Sequence, residues 1–118
     1  MRPRPTDIEL HTRSRVLEVV FDDGARFKLP CEYLRVYSPS AEVQGHGSHQ
    51  QVLQIGKEAV NITDIEPVGN YAVRLRFDDG HSTGIFDWNY LYELGAEQDE
   101  KWRDYLARLQ AAGYRRAD

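Results

Sequence analysis

Cysteine is nearly missing from this chain: Cys31 is the only one in 118 residues. One thiol excludes an intramolecular disulfide and any cysteine-based metal cluster held within a single chain. Long apolar runs are missing as well, and none approaches the roughly 20 residues that a membrane-spanning helix needs. The opening Met1-Arg2-Pro3-Arg4-Pro5 has no apolar core of the kind a secretory signal carries. Positive charge is in deficit, with 15 Lys and Arg against 19 Asp and Glu and a net charge of −4. No overall basic field is therefore available for nucleic acid or an anionic membrane surface. A phosphate-cradling glycine loop is absent, because Gly45 and Gly47 stand without the rest of that pattern. Ser48, beside His46 and His49, lacks a nucleophile elbow. These absences lead to the expectation of a cytoplasmic, bacterial-type protein that binds neither nucleic acid nor membrane.

The chain does contain ordinary globular material, 41% hydrophobic and 29% charged, enough for one domain with one modest core. Residues 1–6 are rich in Pro and Arg and are expected to form a disordered tail, leaving 7–118 as a single domain. Within it one block occurs twice, first as Val19-Val20-Phe21-Asp22-Asp23-Gly24 and again as Leu75-Arg76-Phe77-Asp78-Asp79-Gly80. Each copy is followed by an aromatic–Leu pair, Tyr33-Leu34 and Tyr90-Leu91. Phe21 matches Phe77 and Tyr33 matches Tyr90, and the spacing from Phe to Tyr is longer by one in the second copy, which therefore carries a single insertion. Alternating apolar residues ending in Asp-Asp-Gly predict a half-buried strand entering a hairpin turn. Asp-Gly suits a two-residue turn, since Gly adopts positive φ without a Cβ clash. The paired aspartates could hold a metal, but a solvated turn is the simpler reading.

Along the chain, 7–11 predicts an edge strand, 15–21 and 26–29 a hairpin, and 31–36 a short helix with Tyr33, Leu34 and Val36 inward. Ser38 to Val43 could start a second helical turn, and Gln44 to His49 reads as an exposed loop. Strands follow at 51–55 and 59–66 with Gly56-Lys57 as the turn, then at 71–77 and 81–86. Tyr71 is expected to share the apolar face of Val73, Leu75 and Phe77. A short helix at 88–94 ends at Gly95. A longer one at 97–112 carries the apolar stripe Trp102, Tyr105, Leu106, Leu109 and stops at Gly113. The fold class is α+β, mainly antiparallel β, with two pseudo-repeated hairpins, a short helix after each and a C-terminal helix packed on the sheet.

Several residues could carry chemistry. His46 and His49 lie three apart in the Gly-rich loop and His81 follows the second turn, so three imidazoles could hold zinc, nickel or iron. The alternative is that they are solvated. Cys31 follows Pro30 at a helix start, where amides can activate a thiol, although a buried, inert Cys is the preferred reading. Arg35 and Glu66 could form an ion pair. Trp88, Tyr90, Tyr92, Trp102 and Tyr105 could line a cleft, but are expected mostly in the core.

A wider set of segments carries a family likeness: Phe21 to Gly24, Leu34-Arg35, Ser38 to Glu42, Gly45-His46-Gly47, Ile65 to Tyr71, Phe77 to His81 and Gly84 to Trp88. Over roughly Val16 to Tyr105 the chain resembles the small bacterial family of domains similar to the N-terminal domain of gamma-butyrobetaine hydroxylase. In the hydroxylase that domain precedes an iron- and 2-oxoglutarate-dependent catalytic domain. It holds zinc through Cys-Pro-Cys-x-x-Cys and a downstream His. Matched position by position, those ligands fall on Ser38, Ser40, Val43 and His81, so only the His survives and no resident cofactor is expected. His81 should instead hydrogen-bond the loop around Ser38–Ser40. The stretch from Trp88 to Asp118 is too short for the catalytic domain, so hydroxylation by this chain alone is not expected. Related domains occur fused to P-loop ATPases of iron–sulfur cluster assembly.

The resemblance therefore implies a non-enzymatic binding or adaptor module. Its partner would be a protein, such as an iron–sulfur assembly ATPase or an oxygenase. Its contact edge would comprise Ser38, Ser40, Gly45, His46, Gly47, His49 and His81. The alternative is a zinc- or iron-binding protein using His46, His49 and His81, and the third reading is an enzyme with a site near Gly45–His49.

Overall fold

The computed structural model describes residues 2–39 and 53–116. The elements run β1 (Pro5–His11), β2 (Val16–Phe21), β3 (Arg26–Pro30), α1 (Cys31–Val36), β4 (Ile62–Val68), β5 (Ala72–Phe77), β6 (Gly84–Asp87), α2 (Trp88–Ala96) and α3 (Gln98–Ala111). Strands β1-β2-β3 form one antiparallel sheet and β4-β5-β6 another. The α+β class expected from the sequence is the one observed. Period-two alternation decides which face each central strand buries. Leu17, Val19 and Phe21 of β2 point into the core, as do Val73, Leu75 and Phe77 of β5. They join Tyr33 and Leu34 of α1, Leu91 and Leu94 of α2, and Tyr105 and Leu109 of α3 in one continuous cluster.

The repeat is larger than a hairpin. It is a whole β-β-β-α unit, copied down to individual hydrogen bonds. Both units carry a register shift in the first strand, between Pro5 and Asp7 and between Ile62 and Asp64. At that shift Thr6 and Thr63 donate their hydroxyls to Val20 O and Arg76 O. Both turns close by the Phe N–H reaching a carbonyl beyond the Gly, Phe21 to Ala25 at 2.8 Å and Phe77 to His81 at 2.9 Å. In both, the second Asp accepts from the amide just past the Gly, Asp23 from Ala25 and Asp79 from His81. In both, the first Asp accepts from the residue before the first strand, Asp22 from Arg4 and Asp78 from Asn61.

The units then exchange contacts about a pseudo-twofold relation. Arg35 of α1 donates to Asp79 in the second turn at 2.8 Å, and its counterpart in α2, Tyr92, donates to Asp23 in the first turn at 2.7 Å. Tyr33 donates its hydroxyl to Leu94 O at 2.7 Å, and Tyr90 donates to Tyr37 O at 2.6 Å. Each helix thus satisfies a carbonyl at the C-terminal end of the other, where no intrahelical donor is available. α3 packs along α2 and donates Tyr105 Oη to Gln54 O at 2.6 Å.

Several details depart from the expectation. The turns are three-residue loops, with Gly alone left-handed, φ +90° at Gly24 and +93° at Gly80. Asp23 and Asp79 do not take positive φ, so this is a turn closed by a glycine bulge, not a two-residue turn. β1 begins at Pro5, so Pro5 and Thr6, assigned by sequence to the tail, lie in the first strand beside β2. Residues 53–55 form no strand, and β4 begins at Ile62 and runs through Pro67, which an edge strand tolerates. Gln51 and Val52 lie outside the described residues. Tyr71 is 55% exposed, because β5 starts after it. Gly95 does not stop α2. It lies inside the helix because the Phe27 ring occupies the space a Cβ would fill, with ring carbons 2.3 Å from that point. Arg35 does not meet Glu66, which pairs instead with Arg74 across the strand.

Tyr33→Phe and Tyr90→Phe should cost similar amounts, about 1–2 kcal/mol each, by stranding a carbonyl in the interior. Urea unfolding of the two variants measures this, and a cost confined to one of them would deny the exchange its structural role. Asp79 gives a second expectation. Burial alone would raise its carboxyl, but hydrogen bonds from Lys57, the His81 amide and Arg35 outweigh that and hold it at about 2. A depressed carboxyl stabilises the fold above its unfolded value, near 4, and loses that contribution as pH falls toward 2. Asp79→Asn should therefore cost about 2 kcal/mol at neutral pH, discounted for partial exposure, with the gap to wild type closing below about pH 4. A gap independent of pH would show that the Asp79 charge is not what matters.

Candidate functional site

The junction between α1 and the second turn is polar. Ser38 follows the end of α1, held by its amide to Arg35 O at 3.3 Å, and is only 4% exposed. His81 leaves the turn with its ring over Phe77, centroids 6.0 Å apart. Ser38 Oγ and His81 Nε2 meet at 2.9 Å, the contact expected for the surviving His. Gly84, opening β6, makes the approach feasible: a Cβ there would sit 2.0 Å from Ser38 Oγ. Beside this pair, Asp79 Oδ2 receives Arg35 Nε at 2.8 Å and Lys57 Nζ at 2.6 Å. The Arg35 side chain is only 9% exposed. Its Nη1 is buried with no hydrogen-bond partner among the described residues. Among the described residues, Arg35 and Lys57 side chains and the His81 amide converge on one carboxylate.

Ser38 and His81 are brought together, while Ser40, Gly45, His46, Gly47 and His49 lie outside the described residues. The zinc centre implied by the resemblance does not fit the donors present. Ser38 offers a hydroxyl, a poor zinc ligand beside thiolate or imidazole, and that hydroxyl is engaged with His81 Nε2. Cys31 is buried, its Sγ 3.6 Å from Asn61 Oδ1, and burial pushes its thiol up, so it is not an activated nucleophile.

The aromatic residues do not gather into a cleft. Burial pushes the Tyr33 and Tyr90 phenols well up and the Tyr105 phenol to about 12, and all three hydroxyls go to backbone carbonyls. Tyr92 joins Phe21 and Phe27 in an edge-on aromatic trio, centroids 5.0–5.8 Å apart. Two features escaped the sequence reading. Lys57 and Arg35 both converge on Asp79, and no local spacing signals that. An open groove of about 570 Å³ is rimmed by Glu93, Glu97, Glu100 and Asp104. Their spacing of four, three and four is a helical stripe and could have been read.

No curated protein matches the chain. A solved NMR solution structure is 49% identical, with a TM-score of 0.85, covering 97% of this chain and 90% of the other. A second NMR solution structure is 55% identical, with a TM-score of 0.83, covering 97% and 85%. A crystal structure of a protein of unknown function from Acidithiobacillus ferrooxidans ATCC 23270, of the DUF971 family, is 45% identical, with a TM-score of 0.67, covering 80% and 94%. The family described as gamma-butyrobetaine hydroxylase-like, N-terminal, matches residues 8–92. With most of both β-β-β-α units inside that match, the chain belongs to the gamma-butyrobetaine hydroxylase-like N-terminal domain family.

Proposed function

We propose that the domain is a non-enzymatic binding or adaptor module whose contact edge centres on Ser38 and His81 and extends over Ser40, Gly45, His46, Gly47 and His49. The observation that carries this reading is internal to the molecule. The same junction is built twice, and the first copy closes on its aspartate without the hydroxyl, imidazole and guanidinium found in the second. Where the second junction has Ser38 against Gly84, the first has Gly95 against Phe27, with large and small partners interchanged. Where the second has His81 and Arg35, the first has Ala25 and Tyr92, closed by the aromatic trio. A neutral phenol and aromatic packing hold the first turn, so a buried guanidinium whose Nη1 has no partner among the described residues is a feature that the shared scaffold does not require. The partner is a protein presenting acceptor groups. From the family resemblance, an iron–sulfur assembly ATPase or an oxygenase is the first class to try. The alternative, metal binding by His46, His49 and His81, draws on the placement of His81 at this same edge.

The test is calorimetric titration of the tag-free domain with an iron–sulfur assembly ATPase and with an oxygenase from the same genome. A triple His46→Ala, His49→Ala, His81→Ala variant should keep its stability to within about 1 kcal/mol and lose more than about tenfold in affinity, or about 1.4 kcal/mol. Unchanged binding would move the site elsewhere, with the acidic groove along α2 and α3 next in line. A variant that fails to fold would make the histidines structural. Stoichiometric metal in the wild type that vanishes in the triple variant would favour the alternative.

A further inference from the structure

The outer face of the first sheet departs from its own duplicate. In the second sheet Glu66 stands opposite Arg74, and the two form an ion pair at 3.1 Å. Opposite charges facing each other across antiparallel strands are the stable arrangement. The equivalent pair in the first sheet is Glu9 opposite Glu18, two carboxylates where like charges are destabilising. Further along β1, on the same face, stands His11 where the second unit has Val68. Both departures add metal donors. One oxygen of Glu9, one nitrogen of His11 and one oxygen of Glu18 all lie within 4.8 Å of one another. His11 Nε2 is 2.9 Å from Glu18 Oε1, and Arg26 binds the other oxygen, Oε2. A groove of about 350 Å³ lined by His11, Ser14, Val16, Glu18 and Lys28 opens alongside.

We infer that Glu9, His11 and Glu18 form a surface site for a divalent transition metal of the zinc class. Imidazole with carboxylates is a donor set that zinc accepts in tetrahedral sites whose remaining position is left to water. The ion enters between His11 Nε2 and Glu18 Oε1, replacing the 2.9 Å hydrogen bond between them, whose hydrogen is lost to solvent. Arg26 stays on Glu18 Oε2, orienting the ligating carboxylate from outside the coordination sphere. Metal charge also removes the repulsion between Glu9 and Glu18, which Arg26 and His11 offset only from the Glu18 side. Lys28, opposite Glu18 on β3, opposes the ion, so binding is moderate rather than tight. The site is separate from the Ser38–His81 edge and does not depend on its function.

The experiment is calorimetric titration of the tag-free 118-residue chain with zinc chloride at neutral pH. The wild type and three variants are compared: His11→Val, which installs the second unit's residue, Glu9→Gln, and His81→Ala. One zinc should bind per chain. Loss of a ligand should cost at least as much as loss of an outer-sphere partner, so His11→Val and Glu9→Gln should each weaken binding by more than about tenfold. His81→Ala should leave that isotherm unchanged. Wild-type protein that takes up no zinc below about 1 mM, or zinc binding that survives both His11→Val and Glu9→Gln, would overturn the inference. So would a loss seen only in His81→Ala. Far-UV circular dichroism confirms folding, and the exposed Glu9 position decides the matter should His11→Val fold poorly.

Discussion

Everything in this fold leans on a reciprocal contact: a helix of each unit reaches the turn of the other. Arg35 on Asp79 and Tyr92 on Asp23 are the two halves of that contact. Amides of the turn's own unit hold the rest of each aspartate pair, Arg4 and Ala25 at the first turn and Asn61 and His81 at the second, and the helix from the other unit supplies the remaining donor. Each unit is shorter than the roughly 40 residues below which a lone core rarely suffices, so one unit buries too little apolar surface to be stable alone. Residues of both units share one core cluster, and the hydroxyls of Tyr33 and Tyr90 fix how the helices lie, since each must find a particular carbonyl. Apolar burial supplies the drive and is tolerant of small shifts. The hydroxyl-to-carbonyl bonds are directional and select one arrangement.

Duplication also gives the molecule an internal reference. Matched positions share strand register and turn closure, so a difference in side-chain chemistry there is not dictated by the backbone hydrogen bonding. At the first turn the carboxyl of Asp23 is lowered by a neutral phenol, Tyr92, with the Ala25 amide helping. At the second, two full cations converge on Asp79. Phe27 over Gly95 and Ser38 over Gly84 fill equivalent gaps with opposite polarity. The two units therefore share a scaffold and differ in what they present at its joints.

The scaffold was legible in the sequence because its signals are local. Alternation set the buried faces of β2 and β5, Asp-Asp-Gly marked both turns, and the Tyr-Leu pairs marked both helices. Turn type is not legible there, because Asp-Gly serves both two-residue and three-residue loops, and only the Phe21–Ala25 and Phe77–His81 closures distinguish them. Gly95 reads as a stop because, in sequence, a glycine lacking a Cβ for steric reasons looks the same as one needed for positive φ. The real reason is Phe27, which lies in the other unit and far away along the chain. The candidate edge was half legible: family likeness brought Ser38 to His81, and the structure joins them at 2.9 Å. The partner of Arg35 was not legible. An arginine two positions from a buried tyrosine could pair with any acid on the facing surface, and charge alone does not choose between Glu66 and Asp79.

What chooses is the exchange itself. Glu66 lies on an edge strand with Arg74 directly opposite and Arg76 also within reach, so its charge is already met inside its own sheet. Asp79 lies at a turn, where no strand neighbour stands opposite it, and its carboxylate is open to a donor from the other unit. The pseudo-twofold then makes the assignment unavoidable, because the mate of Arg35 is Tyr92 and the mate of Asp79 is Asp23, which are themselves bonded. Knowing one of these contacts and the alignment of the two copies is enough to derive the other. A repeat read only as similar strings predicts similar elements; a repeat read as a pair of interlocked units predicts contacts across the chain.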